Sequence, residues 1–204
     1  DRLTGRTTAI GVLTALQFLP MLLLGAYGGA VADQRDRRTM AILTQGALAL
    51  QAVALALFDL TGTINLGIIY ALTLALGVIN AFDNPARRGF VTELVPEDDI
   101  ANAISLNTAT MTGSRIFGPA VAALLIGPLG TGWLFSINAV SFVAILGSLF
   151  LLDQSQLYRA PRAKRGGKPV RDGLRFIRRS PNLFVPFLAF TVIATFGFNH
   201  NVAF

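Results

Sequence analysis

The chain has 204 residues, of which 53% are apolar and only 14% are charged, and since an average soluble domain carries about 25% charged residues, its composition excludes an ordinary soluble fold. The net charge of +6 comes from basic residues that lie beside long apolar runs rather than on one polar face, which argues against nucleic-acid binding. Because the sequence has no cysteine and a single histidine, it predicts neither a disulfide framework nor a metal site.

Six membrane-spanning helices are predicted, so the expected fold class is an all-α polytopic membrane protein. Charge-free runs of 20 or more residues recur along the chain, and about 20 apolar residues are enough to cross a bilayer. The longest run is interrupted at 127–132 by Gly-Pro-Leu-Gly-Thr-Gly, a turn-forming sequence that divides it into two helices joined by a tight loop. The predicted helices cover residues 9–31, 40–59, 65–84, 102–126, 132–152 and 182–204.

Basic residues follow the first, third and fifth predicted helices. Segments 35–38 and 87–88 carry arginines, and nine Lys or Arg residues lie between positions 159 and 179. The loops after the second and fourth helices, 59–65 and 127–132, contain none. By the positive-inside rule the basic loops are cytoplasmic, which predicts a multi-pass protein of the cell inner or plasma membrane with both ends of this chain outside.

The chain is predicted to contain parts of two membrane bundles. Residues 1–152 form the first bundle, which we expect to be preceded by one further helix, and 182–204 form the first helix of the second. The connection 153–181 is the long basic cytoplasmic loop, with prolines and glycines typical of a linker. Its second half, 170–179, fits either a short amphipathic helix on the inner leaflet or a solvated basic linker.

An acidic and basic cluster follows the first predicted helix. Segment 28–38 resembles the loop between helices two and three of the major facilitator superfamily, whose pattern is Gly, three residues, Asp, a basic residue, any residue, Gly and two basic residues. The matching residues are Gly29, Asp33, Arg37 and Arg38. Gln34 replaces the usual basic residue, and Asp36 replaces the usual Gly. Asp at this position resembles the sequences of the siderophore and macrolide exporter branch. Segments 80–88, 93–98, 102–107 and 115–119 also look like that branch, and the resemblance covers essentially the whole chain.

In the resembled family this loop latches the two bundles together on the cytoplasmic side. The resemblance implies that role for Asp33 and Arg37, whereas an ordinary positive-inside turn is the alternative. From the residues themselves, Gly25 and Gly29 lie one turn apart, and small residues at that spacing allow two membrane helices to approach closely.

A second charged cluster is predicted at the end of the third helix. Asp83 is followed by Pro85, which disfavours continued helix at Asn84, and then by Arg87 and a second arginine. Our hypothesis is a charge relay of Asp83 and Arg87, in which Asp83 exchanges ion-pair partners with the latch arginines as the bundles rock. A static structural ion pair is the alternative.

Arg115 lies in the middle of a predicted membrane span, where a charge costs about 2.5 to 3.5 kcal/mol or more. We therefore predict a functional role, either binding an anionic substrate group or coupling to a carboxylate on a helix outside this chain. The alternative is an arginine that snorkels or pairs two helices. Asn107, Asn138 and His200 are predicted to line the same substrate and proton pathway, although a hydrogen-bonded helix contact is the alternative for His200.

Ser114, Gly118 and Pro119 resemble the helix-five exporter motif, which is Gly, three residues, Gly-Pro, two residues and Gly-Gly. In the family this motif marks antiporters. Pro119 removes one backbone hydrogen bond and kinks the helix. A tightly packed kink without a role in transport is the alternative.

Together the resemblance implies a secondary active transporter, here helices two to seven of twelve, that works by alternating access. It implies export of small amphipathic molecules, such as drugs, macrolides or siderophores, coupled to protons. The expected partners are therefore a small-molecule substrate, protons and the lipid bilayer, with the protein as a monomer. No carboxylate falls at the centre of a predicted span, so proton coupling follows from the resemblance alone.

Neither an enzyme nor an ATP-binding protein is predicted. The sequence contains no glycine-rich nucleotide loop and no serine-nucleophile elbow, so no cofactor is expected. Two other functions stay open: a lipid or lysophospholipid flippase with the same fold, and a non-transporting helical membrane subunit or receptor.

Overall fold

A computed structural model describes residues 7–158 of the chain, with 175, 176, 178, 180, 183–186, 188 and 189, and the side chains within the first range from residue 9 onward. Every regular element in this described part is helical. The long helices are α1 (Thr7–Gln34), α2 (Arg37–Leu60), α3 (Leu66–Glu93) and α4 (Ile100–Leu151), and two short 3-10 turns cover Glu97–Asp99 and Gln154–Gln156. Four helices in this part are long and apolar enough to cross a membrane, as the predicted fold class requires.

The longest helix, α4, consists of two arms. Gly130 interrupts it with φ 77° and ψ 170°, backbone angles that side-chain-bearing residues rarely adopt. The arms 100–129 and 131–151 measure about 45 and 31 Å at 1.5 Å per residue, so each is long enough to cross a hydrocarbon layer of about 30 Å. The predicted division of this run into two helices at 127–132 is confirmed.

The second arm of α4 packs antiparallel to α2. At one end, Thr131 donates a hydrogen bond to the Asp59 carboxylate at 2.6 Å, and a Cβ atom on Gly132 would lie 2.7 Å from the Leu60 side chain. At the other end, Arg38 donates to the Leu149 carbonyl at 2.8 Å. These contacts join each end of α2 to the opposite end of the second arm.

Helices α1 and α3 pack in parallel through small residues. A Cβ atom on Gly77 would lie 2.6 Å from the Gln17 carbonyl oxygen, and one on Gly28 would collide with the carbonyl group of Ala81. One turn further along α1, Ala32 belongs to a small buried cluster with Met40 and Ala86. Packing rather than hydrophobic collapse joins membrane helices, and glycines permit the shortest distances between their backbones.

The structure corrects the predicted end of α3. We expected the helix to stop before Pro85, but it continues through Pro85 to Glu93. Proline has no N–H group to donate to the carbonyl of Ala81 four residues earlier, and that carbonyl lies against the backbone of Gly28. Neighbouring helices make proline tolerable inside membrane helices in this way, so Asp83 lies within α3 and not at its end.

The glycines that permit close packing also differ from those expected. A Cβ atom on Gly25 or Gly29 would meet nothing within 4 Å among the described residues. Because successive helical residues are about 100° apart, Gly29 lies on a different face of α1 from Gly28. The face of α1 that packs on α3 is the one bearing Gly28 and Ala32.

Most large apolar side chains of the helices are exposed in the isolated chain. Leu22 in α1 is 79% exposed and Leu124 in the first arm of α4 is 77% exposed, and the first arm of α4 contains no buried residue within the described part. Exposed apolar surface on this scale is expected for helices whose outer faces contact lipid or other helices.

The chain divides into two compact units, residues 1–163 and 164–204. In the second unit, residues 183–186 are helical, and the backbone N–H groups of Leu183 and Phe184 each donate to the Ser180 carbonyl at 2.9 Å. The predicted boundaries at 152 and 181 stay predictions. The amphipathic alternative for 170–179 and most of the predicted helix 182–204 fall outside the described residues.

Candidate functional site

The turn between α1 and α2 is shaped by a helix cap. Asp36 is the N-cap of α2, and its carboxylate accepts hydrogen bonds from the backbone N–H of Thr39 at 2.9 Å and from its hydroxyl at 3.0 Å. Asp is among the preferred N-cap residues because it satisfies N–H groups that have no partner inside the helix. The cap fixes Arg37 and Arg38 in the first turn of α2.

Arg37 joins the ends of three helices. Its guanidinium donates to the Gly89 carbonyl of α3 at 3.0 Å, lies 3.4 Å from the Glu93 carboxylate at the end of α3, and lies 3.6 Å from Asp33 at the end of α1. The Arg37 side chain is 18% exposed and that of Glu93 is 11% exposed, whereas Asp33 is 62% exposed. The pair with Glu93 is therefore the better shielded from water and the stronger of the two.

Glycine at position 89 makes room for this guanidinium. A Cβ atom on Gly89 would lie 2.7 Å from Nε of Arg37, so a larger residue would displace the arginine from the carbonyl that it contacts. The backbone carbonyl of Glu93 also accepts from the N–H of Tyr158 at 2.9 Å. This bond attaches the segment after α4 to the same end of α3.

Arg38 binds a different helix. Its Nε donates to the Leu149 carbonyl at 2.8 Å and its Nη2 to the Phe150 carbonyl at 3.2 Å. These carbonyls belong to the last turn of α4, where carbonyls lack partners within the helix and carry partial negative charge. The predicted latch residues Arg37 and Arg38 thus bind α3 and α4 respectively, while Gly29 takes no part in these contacts.

Asp83 lies buried between α2 and α3, with 1% of its side chain exposed. Its Oδ1 accepts hydrogen bonds from the Thr44 hydroxyl at 2.7 Å and the Gln45 amide at 2.8 Å. Its Oδ2 lies 3.4 Å from Nε of Arg87, one turn along α3, and accepts no hydrogen bond within the described part of the chain. A carboxylate thus lies within α3, whereas the sequence had placed it at the end of that helix.

The structure brings the predicted relay residues Asp83 and Arg87 together. The latch arginines contact neither of them here, because Arg37 binds Asp33 and Glu93 while Arg38 binds the end of α4. The exchange of partners between the two clusters therefore stays a hypothesis about a second conformation.

Three contributing residues were missed by sequence reasoning: Thr44, Gln45 and Glu93. The only signal for the first two was a Thr-Gln pair inside an otherwise apolar run. The signal for Glu93 was its spacing of four residues from Gly89, which puts both on one face of α3.

A cavity of about 360 Å³ lies between the end of α3 and the first arm of α4. It is lined by Arg88, Val91, Ile104, Asn107, Thr108, Met111, Thr112 and Arg115. The α4 residues recur at intervals of three or four positions and so form one face of that helix. Two of the predicted pathway residues, Asn107 and Arg115, thus line one cavity together with Arg88.

The other predicted pathway residues lie elsewhere. Asn138 is exposed on the second arm of α4, and its carbonyl accepts from the Ser141 hydroxyl at 2.7 Å. His200 lies outside the described residues. In the helix-five motif, Ser114 donates to the Thr110 carbonyl at 2.9 Å, and a Cβ atom on Gly118 would meet nothing within 4 Å. Pro119 lies inside the first arm of α4 and is exposed.

Beyond the end of α4, Asp153 holds the turn that starts the connecting segment. Hydrogen bonds from the Ser155 backbone N–H and hydroxyl, at 2.9 and 2.8 Å, lower the pKa of its carboxyl. Hydrogen bonds to the charged form of a carboxylate favour that form, so Asp153 stays ionised at neutral pH and stabilises the turn.

Comparison with known proteins gives consistent similarities. Residues 3–198 match the family described as transmembrane secretion effector. The chain is 30% identical over 182 residues to the uncharacterised MFS-type transporter YfiS of Bacillus subtilis, covering 86% of this chain and 42% of that protein. It is 24% identical over 139 residues to the Staphyloferrin A transporter of Staphylococcus aureus, covering 67% and 35% respectively. It is 23% identical over 199 residues to Macrolide efflux protein A of Streptococcus pyogenes, covering 93% and 47%. The chain thus spans less than half the length of these curated relatives.

Proposed function

The chain belongs to the transmembrane secretion effector family of the major facilitator superfamily, and from that membership we propose that the full-length protein exports small amphipathic molecules by proton-coupled alternating access. It is a multi-pass protein of the cell membrane. Its relatives are named as transporters and not as enzymes. In alternating access, two helical bundles rock about a central site and open it to one side of the membrane at a time.

The observation that carries the proposal is the Arg37 network. One partly buried guanidinium contacts a carboxylate of α1 together with a carbonyl and a second carboxylate of α3. The ion pairs at 3.4 and 3.6 Å hold the ends of α1, α2 and α3 together within the first predicted bundle. The proposed latch on Asp33, Arg37 and Arg38 would use this charged end to contact the second bundle on the cytoplasmic side.

The proposed substrates are small amphipathic molecules of the siderophore or macrolide kind. The support comes from the names of two relatives, one a transporter of staphyloferrin A and the other a macrolide efflux protein. The cavity between α3 and α4, with polar Asn107 and Arg115 beside apolar side chains, suits molecules with both characters.

Asp83 and Arg87 are the proposed charge relay. Buried Asp83 lies 3.4 Å from Nε of Arg87, and its Oδ2 accepts no hydrogen bond within the described part of the chain. Exchange of ion-pair partners between Asp83 and the latch arginines would accompany the rocking of the bundles.

The experiment uses the full-length protein in everted membrane vesicles with an acidic interior. Addition of a transported siderophore, macrolide or amphipathic dye should discharge the pH gradient in wild type. Discharge should be lost with Arg115→Ala and retained with Arg35→Ala, which removes an arginine that is exposed in the turn between α1 and α2.

Absence of discharge for every compound in wild-type vesicles, at expression equal to that of a known exporter, would overturn proton-coupled export. A protein that moves fluorescent lysophospholipid between leaflets under the same conditions would be a flippase instead. A protein that does neither would be a non-transporting membrane subunit.

A further inference from the structure

We propose that the cavity between α3 and α4 is an anion-binding subsite, in which Arg88 and Arg115 together bind one compact carboxylate or phosphate group of an amphipathic substrate. The inference rests on the proposed transport function and narrows its substrate class to anionic molecules. It adds a binding role for Arg88, which the sequence indicated only as a topology signal and as a member of the charged cluster after Asp83.

The charged residues that line the cavity are all basic. Within the described part of the chain, its eight lining residues include two arginines and no carboxylate. The other arginines near the ends of these helices have partners: Arg37 binds Glu93, Arg38 binds the end of α4, and Arg87 binds Asp83. Neither cavity arginine makes a side-chain hydrogen bond or ion pair within residues 9–158.

Arg115 lies at a position where a charged side chain needs a partner. It lies 15 residues after the start of α4, which is about 22 Å along the helix axis. A charge at such depth in a membrane is expensive and requires an anion, a dipole or water. A bound anionic group would supply such a partner to Arg115 and to Arg88 at the same time.

The remaining cavity surface suits an amphipathic molecule. Val91, Ile104 and Met111 provide apolar contacts beside the two guanidinium groups. A volume of about 360 Å³ falls at the small end of the range for small-molecule pockets, enough for a head group and part of its apolar body. The planar guanidinium matches the paired oxygens of carboxylate and phosphate, which favours these anions over a cation or a neutral group.

The test measures equilibrium binding to the full-length protein in nanodiscs of zwitterionic lipid, with binding to empty nanodiscs subtracted. The probes are radiolabelled citrate, as a water-soluble carboxylate, and radiolabelled lysophosphatidate, as a lipid phosphate. Dodecyltrimethylammonium serves as the cationic control. Variants are Arg88→Gln and Arg115→Gln, with Arg35→Gln as the matched control for loss of one exposed positive charge outside the cavity.

Wild type should bind at least one of the two anions and bind it more tightly than the cation. Each cavity variant should weaken that binding about tenfold or more, because a hydrogen bond to a charged group contributes that much to affinity. Arg35→Gln should change it less than twofold. Binding of citrate alone would identify a soluble substrate, and binding of lysophosphatidate alone a lipid; either supports the subsite.

Binding of neither anion, or equal affinity in wild type and both cavity variants, would overturn the proposal. A second measurement on wild type avoids variants that fail to fold. Phenylglyoxal modification of Arg88 and Arg115, followed by mass spectrometry, should slow severalfold when the anion is bound, and unchanged modification would also refute the subsite. The vesicle experiment tests export independently. A protein that discharges the gradient but fails the binding test would support the proposed function and refute the subsite.

Discussion

A single carboxylate determines how the turn between α1 and α2 presents its arginines. Asp36 stands where the family pattern has glycine, and it caps α2 through two hydrogen bonds to Thr39. Glycine stabilises a turn through backbone freedom, whereas Asp stabilises it by satisfying helix N–H groups. The two residues thus meet the same need by different means, and Arg37 follows immediately in the first turn of α2.

Replacing Gly28 by alanine should loosen the packing of α1 on α3. The added Cβ atom would collide with the Ala81 carbonyl and lie 2.9 Å from its carbon, so the backbones must separate, at a cost of about 1 to 3 kcal/mol for overpacking. Unfolding of the purified protein in detergent would measure the loss. Gly29→Ala is the matched control, since its Cβ atom meets nothing within 4 Å; equal stability of the two variants would contradict the observed packing.

Asp83→Asn should change transport without unfolding the protein. The amide keeps the size of the side chain and can still accept hydrogen bonds from Thr44 and Gln45, but it removes the charge beside Arg87. We expect lower transport and a shift in the balance of inward- and outward-facing forms, measured by labelling of introduced cysteines. Asp153→Asn, outside the membrane, is the control, and normal transport with an unchanged balance in Asp83→Asn would refute the charge relay.

Sequence reasoning found the residues that are charged and locally grouped, and it missed those whose role depends on another helix. Asp33 and Arg37 were visible because acid and base lie one turn apart. Glu93, Thr44 and Gln45 were not visible, because each contacts a residue 38 or more positions away in the sequence. No local pattern indicates such a contact.

At the scale of elements, proline signals a helix end less reliably in a membrane helix than in a soluble one. In water an unpaired carbonyl is solvated and the helix can end there, but in lipid it needs a protein partner or close cover. Gly28 lets the backbone of α1 cover the Ala81 carbonyl, and α3 continues to Glu93. The expectation that α3 ends before Pro85 failed because a neighbouring helix covers the carbonyl that proline leaves without a donor. The break in α4 was predicted correctly because Gly130 interrupts the helix through its own backbone angles.

Gly130→Ala should destabilise the junction between the two arms of α4. Its φ of 77° and ψ of 170° lie in a region that only glycine adopts readily, and a residue with a Cβ atom there costs about 1 to 3 kcal/mol. Thermal unfolding would measure the change. Gly127→Ala provides the control in the same segment, because position 127 has no positive φ and no atom within 4 Å of an added Cβ; equal effects of both substitutions would contradict the strained geometry.

At the scale of the whole molecule, the ion pairs of the described residues lie toward one end of the helices. The Arg37 network, the Arg38 cap and the Asp83 cluster all lie near the start of α2 and the second half of α3, while the outer faces of the helices are apolar. Ion pairs specify partners that apolar packing in lipid leaves open. One end of this bundle is thus held by ion pairs as well as by apolar packing.

The orientation of the bundle in the membrane follows from the position of its basic residues at one end, and cysteine labelling can test it. If the basic end is cytoplasmic, a cysteine at exposed Asp98, between α3 and α4, should react with a membrane-impermeant maleimide only in everted vesicles. A cysteine at exposed Thr63, between α2 and α3, should react only in right-side-out vesicles. The 204 residues contain no cysteine, so each label would report one position once any cysteine elsewhere in the full-length protein is replaced. The reverse pattern would place Arg37, Asp83 and the cavity at the outer surface, and a latch that closes the cytoplasmic side could not then be built from them.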